Sequence, residues 1–128
     1  MKEHKKVVII LVIILIAGIL TFKFAADRII SNATALPVQE IAFARIEDGL
    51  YQGNYEIFPV KVSVQLRIQN GELTQISLLE HVNGRGQAAE KIVDDILTGQ
   101  SLQVDNISGA TVSSVAIKKA IEAALIEH

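Results

Sequence analysis

The sequence predicts an α+β fold: a small antiparallel sheet packed by two helices and preceded by one N-terminal transmembrane helix. Three observations carry that expectation. Val60, Val62, Val64, Leu66 and Ile68 alternate with Lys61, Ser63, Gln65 and Arg67 and run into Asn70-Gly71, the pattern of a half-buried strand entering a two-residue hairpin. Two later stretches repeat apolar residues at helical spacing: Ala88, Ala89, Ile92, Val93, Ile96 and Leu97, then Ile117, Ala120, Ile121, Ala124 and Leu125. At the other end, Val7 to Phe22 is a run of sixteen residues without a charge.

That apolar run follows Lys2, Lys5 and Lys6 and precedes Lys23. A membrane span takes about 17 to 25 residues, and Phe24 to Ala26 extend the run while Lys23 snorkels. Ala33-Thr34-Ala35 has the form of a signal-peptide cleavage site but ends thirteen residues beyond Phe22, too far from the apolar segment for cleavage. No cysteine follows to take a lipid. The expectation is an uncleaved signal anchor over 7–26 with a cytoplasmic basic N-terminus over 1–6, the lysines holding that end inside. The C-terminal domain then lies outside the cytoplasm, in a single-pass protein of the cell membrane. Residues 27–45 read as a linker, because Ser31-Asn32-Ala33-Thr34-Ala35 and Pro37 interrupt any pattern. Val38 to Arg45 has room for one short helix. The folded domain occupies 46–128.

Within the domain, Tyr51 and Tyr55 flank Gly53 in a first strand expected to bend or bulge at that glycine. The alternating strand comes second. Leu73 to Glu80 returns as the third, with Ile76 and Leu78 facing inward. A polar loop, Val82-Asn83-Gly84-Arg85-Gly86-Gln87, leads into the first of the two helices, which Gly99 is expected to stop.

Charge and composition narrow the function. From Arg45 onward seven basic residues face eleven acidic ones, a net of −4, so nucleic acid is not an expected partner. The absence of cysteine excludes disulfides, thiolate metal sites and cysteine nucleophiles. His4, His81 and His128 are scattered over separate segments and suggest no metal site. A Ser-His-Asp arrangement from Ser113 or Ser114, His81 and Asp105 lacks anything like a nucleophile elbow.

The stretch with chemistry in it is Asp105-Asn106-Ile107-Ser108-Gly109-Ala110-Thr111-Val112-Ser113-Ser114. Gly109 allows a tight turn and Ala110 leaves room for close approach. Thr111 or Ser113 is a natural helix cap. The free N–H groups and the positive dipole end behind such a cap suit a phosphate. A hydroxyl there can bind one or carry it covalently. On these residues alone, a plain cap after a turn is the better reading, because small-residue turns before helices are common.

Asp105-x-x-Ser108-Gly109-Ala110-Thr111 resembles the flavinylation motif of the FMN-binding domain family, which includes the flavin-carrying subunits of the Rnf and sodium-pumping NADH:quinone oxidoreductase complexes. Asp48-Gly49-Leu50-Tyr51-Gln52-Gly53, Gly71-Glu72-Leu73, Glu80-His81, the loop around Asn83-Gly84-Arg85-Gly86 and Gln100-Ser101-Leu102-Gln103-Val104 are similar to further blocks of that family, in order. The resemblance implies an FMN joined by a phosphoester bond to Thr111 by a separate flavin transferase that recognises Asp105. Ser108, Gly109, Ala110, Ser113, Ser114, His81 and Arg85 are then expected near the cofactor. Arg85 would face a phosphate or the flavin's carbonyl edge, or stand as a solvated charge. Tyr51 and Tyr55 would stack near the ring or, as strand aromatics more often do, belong to the core. The implied function is electron carriage at the membrane between a redox donor and an acceptor, protein or quinone. Two other readings stand beside it: a module that binds or senses FMN reversibly, and an anchored interaction domain in which the motif is only a cap.

Overall fold

The computed structural model describes residues 1–82 and 87–126, and the chain divides into two compact units, Met1–Asn32 and Ala33–His128.

The first unit is a single helix. Helix α1 runs from Lys2 to Ala35, and its apolar side chains from Val7 to Leu20 are exposed. It is long and apolar enough to cross a membrane, as an anchor or a signal sequence would be. The hydroxyl of Thr21 donates to the carbonyl of Gly18 at 2.9 Å, which keeps the one polar group of that stretch satisfied within the helix. Contrary to expectation, Ser31 to Ala35 do not break the helix. Weak helix formers at the end of a long helix are carried by it, and the stop comes from Pro37, which disfavours helical geometry at Leu36.

The second unit holds a three-stranded antiparallel sheet in the order β1-β2-β3. β1 is Gly49–Ile57, β2 Val60–Gln69 and β3 Glu72–Val82. The hairpin between β2 and β3 turns on Asn70 and Gly71, both at positive φ (54° and 77°), as an Asn-Gly turn requires. The carboxylate of Asp48 accepts the N–H of Asn70 at 2.8 Å. All five apolar residues of the alternating strand are buried, as the pattern predicts.

β3 is less regular than its sequence suggests. Its pairing with β2 jumps between Ser63/Val64 and between Arg67/Ile68, so Thr74 and Leu79 are the extra residues of two bulges. Leu73, Ile76, Leu78 and His81 therefore pair with the buried Ile68, Leu66, Val64 and Val62. Without the second bulge, strict alternation would turn His81 outward.

One sheet face is covered by α3 (Thr111–Ile126), which packs on β1 and β2. The expected bulge at Gly53 is absent: β1 pairs with β2 without a break from Gly49 to Ile57. The glycine serves contact instead. A Cβ at Gly53 would lie 2.3 Å from the carbonyl oxygen of Ala120 and 2.5 Å from the nitrogen of Ala124. Helix and strand meet backbone to backbone there, which only glycine permits.

The first predicted helix is two elements, a 3-10 turn over Gln87–Lys91 and helix α2 over Ile92–Gly99. Its left-handed terminus is Gln100 (φ 48°), not Gly99. The Gln100 amide offsets that strain with three bonds of 2.8 Å: its oxygen accepts the N–H of Leu73, and its nitrogen donates to the carbonyls of Leu73 and Leu97. The stop of α2 and the start of β3 are thus one joint.

The stretch read as a linker is partly built into the domain. Its first part, to Ala35, continues α1; of the stretch from Val38 to Arg45 only Phe43–Arg45 is helical, as a 3-10 turn, while Ile41 and Phe43 lie in the core. The N–H of Gln39 donates to Glu122 at 2.9 Å, Gln103 donates to the carbonyl of Val38 at 2.8 Å, and Lys119 donates to that of Pro37 at 3.2 Å. Apolar residues at Ile41 and Phe43 separated by one alanine gave no periodicity to read.

Candidate functional site

The motif forms a turn and then a helix start. The N–H of Ala110 donates to the carbonyl of Ile107 at 3.0 Å, with Gly109 inside this turn at φ 78°. Glycine at the third position of a four-residue turn with positive φ is the type II requirement. The N–H of Ser114 then donates to the carbonyl of Ala110 at 2.9 Å, the first bond of α3. Ala110 therefore holds the cap position and Thr111 the first helical one, so neither Thr111 nor Ser113 caps the helix. The leading N–H groups of Thr111, Val112 and Ser113 have no acceptor inside the helix.

The four hydroxyls of the motif separate by burial. Ser108 is exposed and Thr111 half-buried, whereas Ser113 and Ser114 are 1% and 0% exposed. Ser114 is a structural pin: its hydroxyl donates to the carbonyl of Ala110 at 2.8 Å and accepts the N–H of Ile107 at 2.9 Å. These bonds also remove it from any arrangement with His81. The Ser113 hydroxyl has no hydrogen-bond partner among the described residues.

One turn further along α3 lies a residue that sequence reading missed. Lys118 is 6% exposed, and its ammonium donates to the carbonyl of Val104 and, at 3.0 Å, to Oδ1 of Asn106. Burial pushes the ammonium below the ordinary lysine value, against the nearby Asp105 carboxylate, which acts to raise it. Ser114 and Lys118 are four apart, hence neighbours on one helix face. That spacing was visible, but lysine on a helix usually marks solvent.

His81, at the end of β3, has its side chain 3% exposed, with Nδ1 3.0 Å from the Glu90 carboxylate. Glu90 belongs to the 3-10 turn, which packs against α3. Arg85 lies outside the described residues. Tyr51 and Tyr55 pack against the core. Tyr51 shares a hollow with Leu125, and Tyr55 one with Lys119 and Ile126. Sixteen residues make α3 about 24 Å long, so Tyr51 sits at the end opposite Thr111. Among the described residues no group of three potential metal ligands occurs.

A turn that leaves the leading N–H groups of a sixteen-residue helix without helical acceptors is, in an α+β domain, a geometry that suits an anion such as a phosphate. Residues 58–126, more than half of the chain, match the family described as the FMN-binding domain. The chain belongs to that family, and its cofactor is FMN. No curated protein matches the chain. The residues present fit the cofactor's phosphate: Gly109 has open space where a side chain would begin, and the leading N–H groups of α3 have no acceptor inside the helix.

Proposed function

We propose that the protein is a membrane-anchored flavoprotein, its domain outside the cytoplasm, that carries electrons through an FMN joined to Thr111 by a phosphoester bond. The observation that carries the site is burial. Ser113 and Ser114 lie inside the domain, leaving Ser108 and Thr111 within reach of a modifying enzyme. Of these two, Thr111 stands on the first turn of α3, where the helix end stabilises a phosphate by roughly 0.3–1 kcal/mol when exposed.

FMN itself would have to expel hydroxide to form the ester, so an activated donor is needed, and a flavin dinucleotide is one. Thr111 Oγ bonds to the FMN-side phosphorus, the pyrophosphate bond breaks, the nucleoside monophosphate leaves, and the hydroxyl proton passes to a base of the transferase. Nothing is oxidised or reduced in this step. Asp105, exposed beside the turn, serves as the transferase's recognition residue or as a ligand of its metal. Bound FMN supplies the redox chemistry; the chain holds its phosphate and sets its surroundings. Redox partners are a donor and an acceptor, protein or quinone, at the membrane.

The test is mass spectrometry of the full chain co-expressed with such a transferase. Wild type gains the mass of FMN less water on the peptide containing Thr111. Thr111→Ala loses all of it and Ser108→Ala keeps it; covalent flavin persisting in Thr111→Ala would move the site. Reversible binding is the second reading, favoured by the leading N–H groups of α3, which can hold a phosphate without a covalent bond. Its sign is yellow colour that leaves the protein on denaturation. The outside location follows from Lys2, Lys5 and Lys6 ahead of the apolar run. Protease added to intact spheroplasts should digest the domain, and protection of a cleavable domain would reverse the topology.

A further inference from the structure

Residues 104 to 110 alternate between the interior and the surface. Val104 and Ile107 pack on the core and Ala110 is buried, while Asp105, Asn106, Ser108 and Gly109 are exposed. Packing by a valine, an isoleucine and an alanine does not fix which way the intervening groups point. Hydrogen bonds do, and among the described residues those that tie this loop to α3 by side chains come from two neighbouring positions. Ser114 holds the N–H of Ile107 and the carbonyl of Ala110. Lys118 holds the carbonyl of Val104 and the amide oxygen of Asn106, the two residues on either side of Asp105. A lysine 6% exposed is rare unless its charge has acceptors, and a methionine or leucine would fill the same space without that desolvation.

We infer that Lys118 is a positioning residue for flavin attachment: by clamping Val104 and Asn106 to α3 it fixes Asp105 outward and sets the Ser108–Thr111 turn in the form that the transferase reads. This rests on Thr111 being the acceptor. Lys118 touches neither the hydroxyl nor the phosphate. Its effect is on the fraction of molecules whose loop is ready, and a binding-competent state populated only in part weakens apparent binding by that fraction. The consequence is specific: loss of the clamp raises the KM of the transferase for this chain and leaves kcat near its original value.

The experiment uses the full chain in detergent, purified transferase and flavin dinucleotide, with Lys118→Met keeping the apolar stem and removing the charge. We expect KM for Lys118→Met to rise about tenfold with kcat changed by less than about twofold. Amide exchange at Ile107 and Ala110 should quicken by about tenfold as well, while Val64 and Leu66 in β2 keep their protection. If Lys118→Met fails to fold, Asn106→Ala takes its place, since Asn106 is exposed and its loss removes only the 3.0 Å bond. A folded variant with unchanged KM and unchanged exchange at Ile107 overturns the inference, as does a fall confined to kcat. Failure of the underlying reading looks different: wild type itself would take up no flavin on Thr111.

Discussion

The C-terminal half of α3 lies against Gly53, with Ala120 and Ala124 at backbone distance from β1 and Ile121 and Leu125 in the core. Its two charged residues are joined to each other, Lys119 to Glu122 at 2.7 Å, and to the strap that precedes β1. The N-terminal half uses the same helix geometry otherwise. There Ser114 and Lys118 reach outward to hold a loop rather than inward to close a core. One half makes contacts by shape, where a single added carbon meets backbone. The other makes them by hydrogen bonds that hold a turn open to approach. The difference separates what keeps this domain folded from what it presents, and each half can be damaged with the other left intact.

The largest effect on stability should come from Gly53→Ala. The added carbon would lie 2.3 Å from a backbone oxygen and 2.7 Å from the Ala124 side chain, and neither rotates away. Overpacking ordinarily costs about 1–3 kcal/mol, occasionally more, and here about 3 kcal/mol or above is expected because α3 must lift from β1. At about 4–8 °C per kcal/mol for a domain of this size, melting should fall by more than about 10 °C. The flavin attached below the melting point should stay at the wild-type level. Loss of attachment in a still-folded Gly53→Ala protein would break the separation of the two halves.

Gly109→Val is the counterpart at the other end. The position has φ 78° and nothing within 4 Å of an added carbon, so the penalty is conformational alone, about 1–2 kcal/mol for a side chain in the left-handed region. The domain should remain folded with a modest loss in melting temperature, while flavin attachment to Thr111 disappears because the turn is no longer the one offered. A destabilisation equal to that of Gly53→Ala, or normal attachment, would erase the contrast.

Much of the fold was open to reading because its signals are local. Alternation over Val60–Ile68 needs one sheet face and Asn70-Gly71 needs two positive φ angles, and neither depends on distant partners. What escaped depends on packing. Gly53 in a strand signals a bulge or a close approach equally, and only the position of α3 decides. The bulge at Leu79 that turns His81 inward carries no residue signature. α3 looked like a helix with one apolar face, yet Ser113, Ser114, Lys118 and Glu122 are buried too, and a buried lysine is spelled like an exposed one. α1 makes the point from the other side: it too is apolar around much of its surface, but with large side chains that are exposed from Val7 to Leu20. In α3, alanines allow close packing and each buried charge meets an acceptor or a donor. At the site, the turn around Gly109 and a helix soon after it could be placed from the motif, but not the cap at Ala110 or the separate duties of the four hydroxyls, since burial alone distinguishes Ser113 and Ser114 from Ser108 and Thr111.

The smallest effect should be a pH dependence confined to the N-terminal half. Burial lowers the Lys118 ammonium below its ordinary value of 10.5, more than Asp105 raises it. The folded chain therefore releases this proton at a lower pH than the unfolded chain does. Between those two values the unfolded state binds more protons, so this residue's contribution to stability increases as the pH rises toward 10.5. Below that window both states are charged and the full desolvation penalty is present. The quantity to follow is a difference, which isolates this one side chain: the unfolding free energy of wild type minus that of Lys118→Met, from denaturant titrations at stepped pH. That difference should climb through the alkaline side as the pH approaches 10.5. A Lys118 difference that is flat or falls would mean that the bonds to Val104 and Asn106, with Asp105 alongside, outweigh burial, and that the loop is held more tightly by the charge than its surroundings suggest.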